Sequence, residues 1–240
     1  MDRSSDRFEI LADQAALARR VAEWMTSTAL AAEGPFRVSL SGGSTPKILY
    51  RLLSSDEFSG RFPWQRVLWY WGDERFVPYD HPDSNYRMVR ESMLAKAPVP
   101  PENVYPIPTD GSPEDAARRY EQTLQEAYGG TTLDAGRALF DVTLLGLGAD
   151  GHTASLLPGE PVLEERHRWV AAVSRGRPEV RITMTYPAID SSRRVAFLVT
   201  GREKAAILRA VRAGSSEAPA SRVRPVGELI WFVDQAAATV

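Results

Sequence analysis

Cysteine is absent from the 240 residues. That absence excludes disulfides, thiolate nucleophiles and cysteine-ligated zinc together, and it suits a reducing compartment. Histidine is scarce: His81, His152 and His167 are the only three, and their scatter matches no zinc-ligand spacing. No apolar stretch is long enough to cross a bilayer; the longest, residues 142–149, is bracketed by Asp141 and Asp150. The opening Met1-Asp2-Arg3-Ser4-Ser5-Asp6 lacks the basic-then-apolar order of a secretory leader, so a cytoplasmic protein is expected. Net charge is nearly absent as well. The 29 Lys/Arg and 31 Asp/Glu leave −2, which gives no global field for nucleic acid or a membrane surface. Neither GxSxG nor GxxxxGK[ST] occurs, which argues against a nucleophile-elbow serine hydrolase and a P-loop.

The residues present describe a globular chain, 43% hydrophobic and 25% charged. Its length predicts one domain over residues 1–240, with a small excursion around residues 75–110. The near-zero net charge hides an asymmetry: between Arg166 and Arg224, 13 Lys/Arg stand against 4 Asp/Glu. A basic C-terminal third can meet an anion or simply coat solvated helix faces. Aromatic residues are too thinly interleaved there for extended nucleic-acid binding.

Periodicity alternates along the chain. Asp13 is placed to cap a helix carrying Leu17, Val21, Trp24 and Thr28 on one side, with Gly34 beyond its end. Residues 36–40 alternate as a short strand, and a helix follows Pro46. The fully apolar Val67-Leu68-Trp69-Tyr70-Trp71 predicts a strand covered on both faces. A helix begins at Ser84 or Asn85. Ser112 opens a capping-box-like start to a helix that Gly129-Gly130 closes. Residues 140–145, 169–173, 195–200 and 229–233 read as strands, and residues 202–213 as a helix. Strands alternating with helices predict an α/β fold: a mainly parallel, Rossmann-like β-sheet flanked by helices on both faces.

Four polar, glycine-containing loops each follow a strand, at residues 41–45, 72–75, 146–152 and 201–204. In a parallel sheet the strand carboxyl ends share one edge, so these distant loops are expected to meet there. Ser41-Gly42-Gly43-Ser44-Thr45 suits an oxyanion: glycines let backbone N–H groups approach, two hydroxyls add donors, and a helix N-terminus adds positive potential. Lys204, in a first helical turn, is disfavoured by the helix dipole unless an anion joins it. Arg181 can make bidentate contacts to phosphate or be an edge-strand arginine. Gly146-x-Gly148-x-x-Gly151 spells the dinucleotide fingerprint, but Pro158-Gly159 interrupts any helix after it and no acid stands at the required distance, so nicotinamide or flavin binding is not expected. His152 leaves the same loop with Asp150 two residues before it. An imidazole of ordinary pKa, about 6.5, can take a proton from water near neutrality. Asp73, Glu74 and Arg75 are packed together, and which of them does chemistry stays open at this stage.

The segments SLSGGSTPK, WGDERFVPYDHPDSNYRM, LGLGADGHTASLLPG, RITMTYPAI and VTGREKA, in this order, resemble the 6-phosphogluconolactonase family of the pentose phosphate pathway. The resemblance implies a fold related to glucosamine-6-phosphate deaminase and ribose-5-phosphate isomerase. It implies hydrolysis of 6-phospho-D-glucono-1,5-lactone, with no metal or organic cofactor. Gly42, Gly43, Ser44, Thr45, Asp73, Arg181 and Lys204 would hold the sugar phosphate, and Arg75, Asp150 and His152 would surround the lactone. The partner expected is a small sugar-phosphate lactone, with no nucleic acid and no membrane, on a monomer or weak homo-oligomer. The deaminases, the nearest alternative, carry NGH where this chain has Asp150-Gly151-His152, and a glutamate where it has Leu157.

Overall fold

The structure, a computed structural model, describes residues 6–214 and 217–239. The chain opens with β1 (Arg7–Leu11), α1 (Gln14–Ala31), β2 (Phe36–Leu40), α2 (Ser44–Leu53) and the short α3 (Asp56–Ser59). There follow β3 (Val67–Trp71), β4 (Asp73–Arg75), α4 (Asn85–Val89), β5 (Val104–Tyr105), α5 (Pro113–Tyr128) and β6 (Val142–Gly146). The last part holds β7 (Val170–Val173), β8 (Arg181–Met184), α6 (Tyr186–Asp190), β9 (Arg194–Val199), α7 (Ala205–Arg212), β10 (Glu228–Asp234) and α8 (Gln235–Ala238).

Seven strands form one sheet in the order β1-β10-β9-β6-β2-β3-β5, and every pairing is parallel. Neighbouring residues of a strand point to opposite faces. Trp69, Tyr70 and Trp71 are all buried, as are Ile230, Trp231, Phe232 and Val233, so both faces of the sheet are covered. Burying each such side chain is worth about 1.5–3 kcal/mol, and the buried apolar residues join in one connected core.

The helix boundaries follow local chemistry. Asp13 caps α1, its carboxylate accepting from the Ala16 amide at 2.8 Å. Ser112 caps α5 by accepting from Asp115, and Gly129, at φ 75°, closes it in the left-handed conformation. The structure departs from the sequence expectations in several places. Residues 7–11, unassigned from sequence, form the edge strand β1. The strand at 170–173 lies outside the parallel sheet, in a three-stranded antiparallel sheet ordered β4-β8-β7. The helix expected over 202–213 begins with a tighter turn, Arg202–Lys204, before α7. The helix after Ser84 widens at Arg90–Leu94 into a π-turn, where Ser92 Oγ donates to the Met88 carbonyl at 2.6 Å.

The small sheet grows directly from the large one. Gly72 follows β3, its N–H donating to Leu40 O at 2.9 Å while its carbonyl accepts from Met184 N at 2.8 Å. The chain thus passes from β3 into β4 without a loop, and Asp73–Arg75 are strand residues rather than the loop expected.

Candidate active site

The chain leaves β2 toward β3 and β5 on one side, then returns to β6, β9 and β10 on the other. The direction of winding therefore reverses between β2 and β6, the position where a parallel sheet opens a crevice beyond its carboxyl ends. Residues 41–45 leave β2 there, and residues 146–152 leave β6 beside them. The turn after β9 adds Thr200 and Lys204. One open cleft of about 240 Å³ is lined by Gly42, Gly43, Ser44, Thr45, Asp73, Arg75, His152, Arg181 and Lys204. Of the residues that the resemblance assigns to the site, all line it except Asp150, which contacts the His152 ring from outside the lining.

The loop at 41–45 is held from below. Tyr50, fully buried in α2, accepts from the Ser41 amide at 3.0 Å and donates to the Ser41 carbonyl at 2.8 Å. Gly43, at φ 107°, makes the turn into α2, a conformation that disfavours a side chain. A Cβ on Gly42 would overlap the Asn85 amide. Thr45 Oγ1 lies 2.7 Å from Thr200 Oγ1, joining this loop to the turn after β9. At the next strand, Tyr120 repeats the clamp on the Trp71 amide and carbonyl, at 2.8 and 2.9 Å.

The small sheet supplies the cations. In the β4–β8 pairing Arg75 stands opposite Arg181. The Arg181 side chain is 12% exposed and its nearest carboxylate, Glu179, is 3.9 Å away. Burial pulls its guanidinium below the usual arginine range, and Arg75 and Arg177 pull the same way against Asp73 and Glu179. Among the described residues the Nε atoms of Arg75 and Arg181 are buried without partners. Lys204 has no carboxylate partner among them either. An anion in the cleft would relieve all three. Arg181 lies in the middle strand of its sheet, so the edge-strand reading is wrong.

The three neighbours Asp73, Glu74 and Arg75 separate by role. Glu74 points away from the cleft, accepting from the amides of Arg75, Asn85 and Tyr86 at 2.7–2.8 Å and from Ser84 Oγ at 3.0 Å. Burial pushes its carboxyl up, against the pull of those bonds. Its work is to tie β4 to the start of α4. Asp73, 6% exposed, lines the cleft and accepts from Ser155 Oγ at 2.6 Å. Asn85 fixes it by donating Nδ2 to its carbonyl at 2.9 Å.

The loop after β6 is a tight turn with no helix behind it. Gly148 N donates to His152 O and Gly151 N to Gly148 O, both at 2.9 Å. A Cβ on Gly148 would collide with the His152 ring. The glycines thus make room for an imidazole, and the dinucleotide fingerprint lacks its helix. Ala154, at φ 48°, also lines the cleft in a conformation few non-glycine residues adopt. The His152 side chain is 25% exposed, and its Nδ1 meets Asp150 Oδ1. The His152 amide donates to that same oxygen at 3.1 Å, and Arg177 Nη2 donates to Asp150 Oδ2 at 2.8 Å. Burial opposes charge on Asp150, but the bonds from His152 and Arg177 outweigh it and hold the carboxyl below the usual range. An ionised carboxylate only accepts, so Nδ1 carries a hydrogen, and in the neutral imidazole the lone pair lies on Nε2.

Sequence reading missed Tyr50, Asn85, Ser155 and Arg177. Asn85 registered only as a helix start. Ser155 lies within the quoted segment LGLGADGHTASLLPG but drew no role there, Tyr50 and Arg177 carry no motif, and the roles of all three exist only once distant segments meet. Among the described residues no group of three or more His, Asp or Glu is arranged to hold a metal ion, and none of their helices is long and apolar enough to cross a membrane.

Known proteins match this chain over nearly its whole length. A 6-phosphogluconolactonase of Nostoc sp. is 40% identical over 237 residues, 95% of each chain. The human 6-phosphogluconolactonase is 38% identical, covering 93% of this chain and 88% of its own. The crystal structure of 6-phosphogluconolactonase from Thermotoga maritima superposes with a TM-score of 0.81 at 29% identity, over 96% of this chain and 100% of that one. A monomeric glucosamine-6-phosphate deaminase shares the fold, with a TM-score of 0.81 at 22% identity. The sequence profile of the glucosamine-6-phosphate isomerases and 6-phosphogluconolactonases matches residues 12–231, and the chain belongs to that family.

Proposed function

We propose that this chain hydrolyses 6-phospho-D-glucono-1,5-lactone to 6-phospho-D-gluconate, with His152 as general base on water. The observation that carries the reading is the placement of His152 and of the anion-binding groups in one cleft, with the imidazole Nδ1 tied to an ionised Asp150. The 6-phosphate sits against residues 42–45, Arg181 and Lys204, where the α2 N-terminus and two cations converge. Binding there orients the carbonyl at the far end of the sugar. Nε2 of His152 takes a proton from water as the oxygen adds to C1. Arg75 faces the resulting oxyanion; the Gly148 and Gly151 amides are already occupied within their own turn. The C1–ring-oxygen bond then breaks, and the ring oxygen takes the proton from the imidazolium. Asp73, held by Ser155 and Asn85, accepts from sugar hydroxyls.

The family also contains deaminases. Leu157, 2% exposed, stands where the resemblance puts their glutamate and cannot exchange protons. We place the action in the cytoplasm, in keeping with the cysteine-free sequence, and expect a monomer or weak homo-oligomer. A coupled assay with freshly made lactone, corrected for spontaneous opening, tests the reading. Hydrolysis should exceed the background by orders of magnitude, with no ammonia from glucosamine 6-phosphate; ammonia release without lactonase activity would replace it with the deaminase reading. Lys204→Ala and Arg181→Ala should each raise KM about 10–100-fold, the loss of one charge-assisted phosphate contact, while leaving unphosphorylated gluconolactone unaffected.

A further inference from the structure

The Asp150 carboxylate is divided between two partners. One oxygen receives the His152 ring and amide; the other receives Arg177 Nη2 at 2.8 Å. Arg177 comes from the β7–β8 connection, where Gly176, at φ 76°, turns the chain beside the side chains of Leu157 and Glu160. It does not line the cleft. Its Nη2 also stands 3.3 Å from His152 Nδ1, so two nitrogen donors converge on one carboxylate. The Arg177 and Asp150 side chains are 34% and 39% exposed, and an ion pair at that exposure contributes little to stability.

We propose that Arg177 is a positioning residue that sets the basicity of His152 through Asp150. This rests on the general-base reading above. A carboxylate serving the imidazole alone would favour imidazolium strongly and hold the abstracted proton. Arg177 draws on the second oxygen and places a positive charge beside the ring, so the imidazolium gains less and returns its proton to the leaving ring oxygen more readily. It also fixes the plane of the Asp150 carboxylate, and with it the direction of Nε2. The charged groups facing the ring are Asp150 on its own loop and Arg177, with Asp73, Arg75, Arg181 and Lys204 around the cleft. Of the cations, Arg177 is the one that contacts Asp150, and it stands outside the cleft lining.

The test is a pH–rate series on Arg177→Met and Arg177→Lys. The Met variant should move the acidic limb of kcat/KM upward by about half to one pH unit and lower kcat about tenfold, with KM changed less than about twofold. The Lys variant should restore most of both. In a His152→Ala background, Arg177→Met should cost nothing further. An unchanged limb and kcat in Arg177→Met, with His152→Ala inactive, would reduce the contact to a surface ion pair. A KM effect alone would make Arg177 a substrate contact, and an equal loss in the His152→Ala background would place its action elsewhere. His152→Ala retaining full activity would instead remove the general-base reading itself.

Discussion

At the scale of single residues, function turns on what each polar group has for a partner. Glu74 and Asp73 are adjacent carboxylates with opposite fates. Glu74 accepts four hydrogen bonds from β4 and the start of α4, whereas Asp73 faces the cleft with Ser155 behind it. Adjacent strand residues point to opposite faces, so one side chain meets substrate and the next meets scaffold. Asp150 is the partner on which His152 depends. Asp150→Asn keeps the shape but removes the ionised acceptor that fixes the Nδ1–H tautomer, and kcat should fall about 10–100-fold with KM little changed. Steady-state kinetics check this; unchanged kcat would show that His152 is oriented by other contacts. Asp150 and His152 were legible because they stand only two positions apart, in one loop. Arg177 was not, because it lies 27 positions from Asp150 and its meaning depends on how the β7–β8 connection folds back.

At the scale of elements, the strand ends near the cleft are held by buried tyrosines. Tyr50 satisfies both backbone groups of Ser41, and Tyr120 both of Trp71. Tyr50→Phe leaves a buried N–H and C=O without partners and should cost about 1–3 kcal/mol. Because the affected loop carries the phosphate contacts, KM should rise with it. Thermal melting and KM measured together check this; lost stability with unchanged KM would show that the loop keeps its shape without the clamp. Five of the seven parallel strands were legible because each carries its apolar pattern within five or six residues, as at 67–71, whereas β5, only two residues long, was not. The short β1, Arg-Phe-Glu-Ile-Leu, has two charges among its five residues and no such run. The antiparallel sheet was illegible for another reason: β4 pairs with residues more than a hundred positions away, and no local pattern encodes that register.

At the scale of the whole molecule, the site is a product of topology. The reversal of winding between β2 and β6 brings together segments from residue 41 to residue 204, and the loop order alone was enough to expect it. Stability carries its own titration. Burial raises the carboxyl of Asp190, at the end of α6, from 3.8 to about 6, although it accepts from the Arg224 amide at 2.7 Å. The folded state therefore binds the proton more tightly than the unfolded chain, and this contribution is full below about pH 4 and lost as pH rises to about 6. Asp190→Asn, which keeps the acceptor and cannot ionise, should gain in Tm over the parent at pH 8 but not at pH 4. An equal difference at both pH values would contradict the shift. The central claim is that one cleft holds a phosphate cradle and a separate base. The most direct measurement is kcat and KM of His152→Ala on fresh lactone, after subtraction of spontaneous opening. The account predicts kcat lower by about 10²–10⁴-fold with KM nearly unchanged. A loss confined to KM, or none at all, would contradict it.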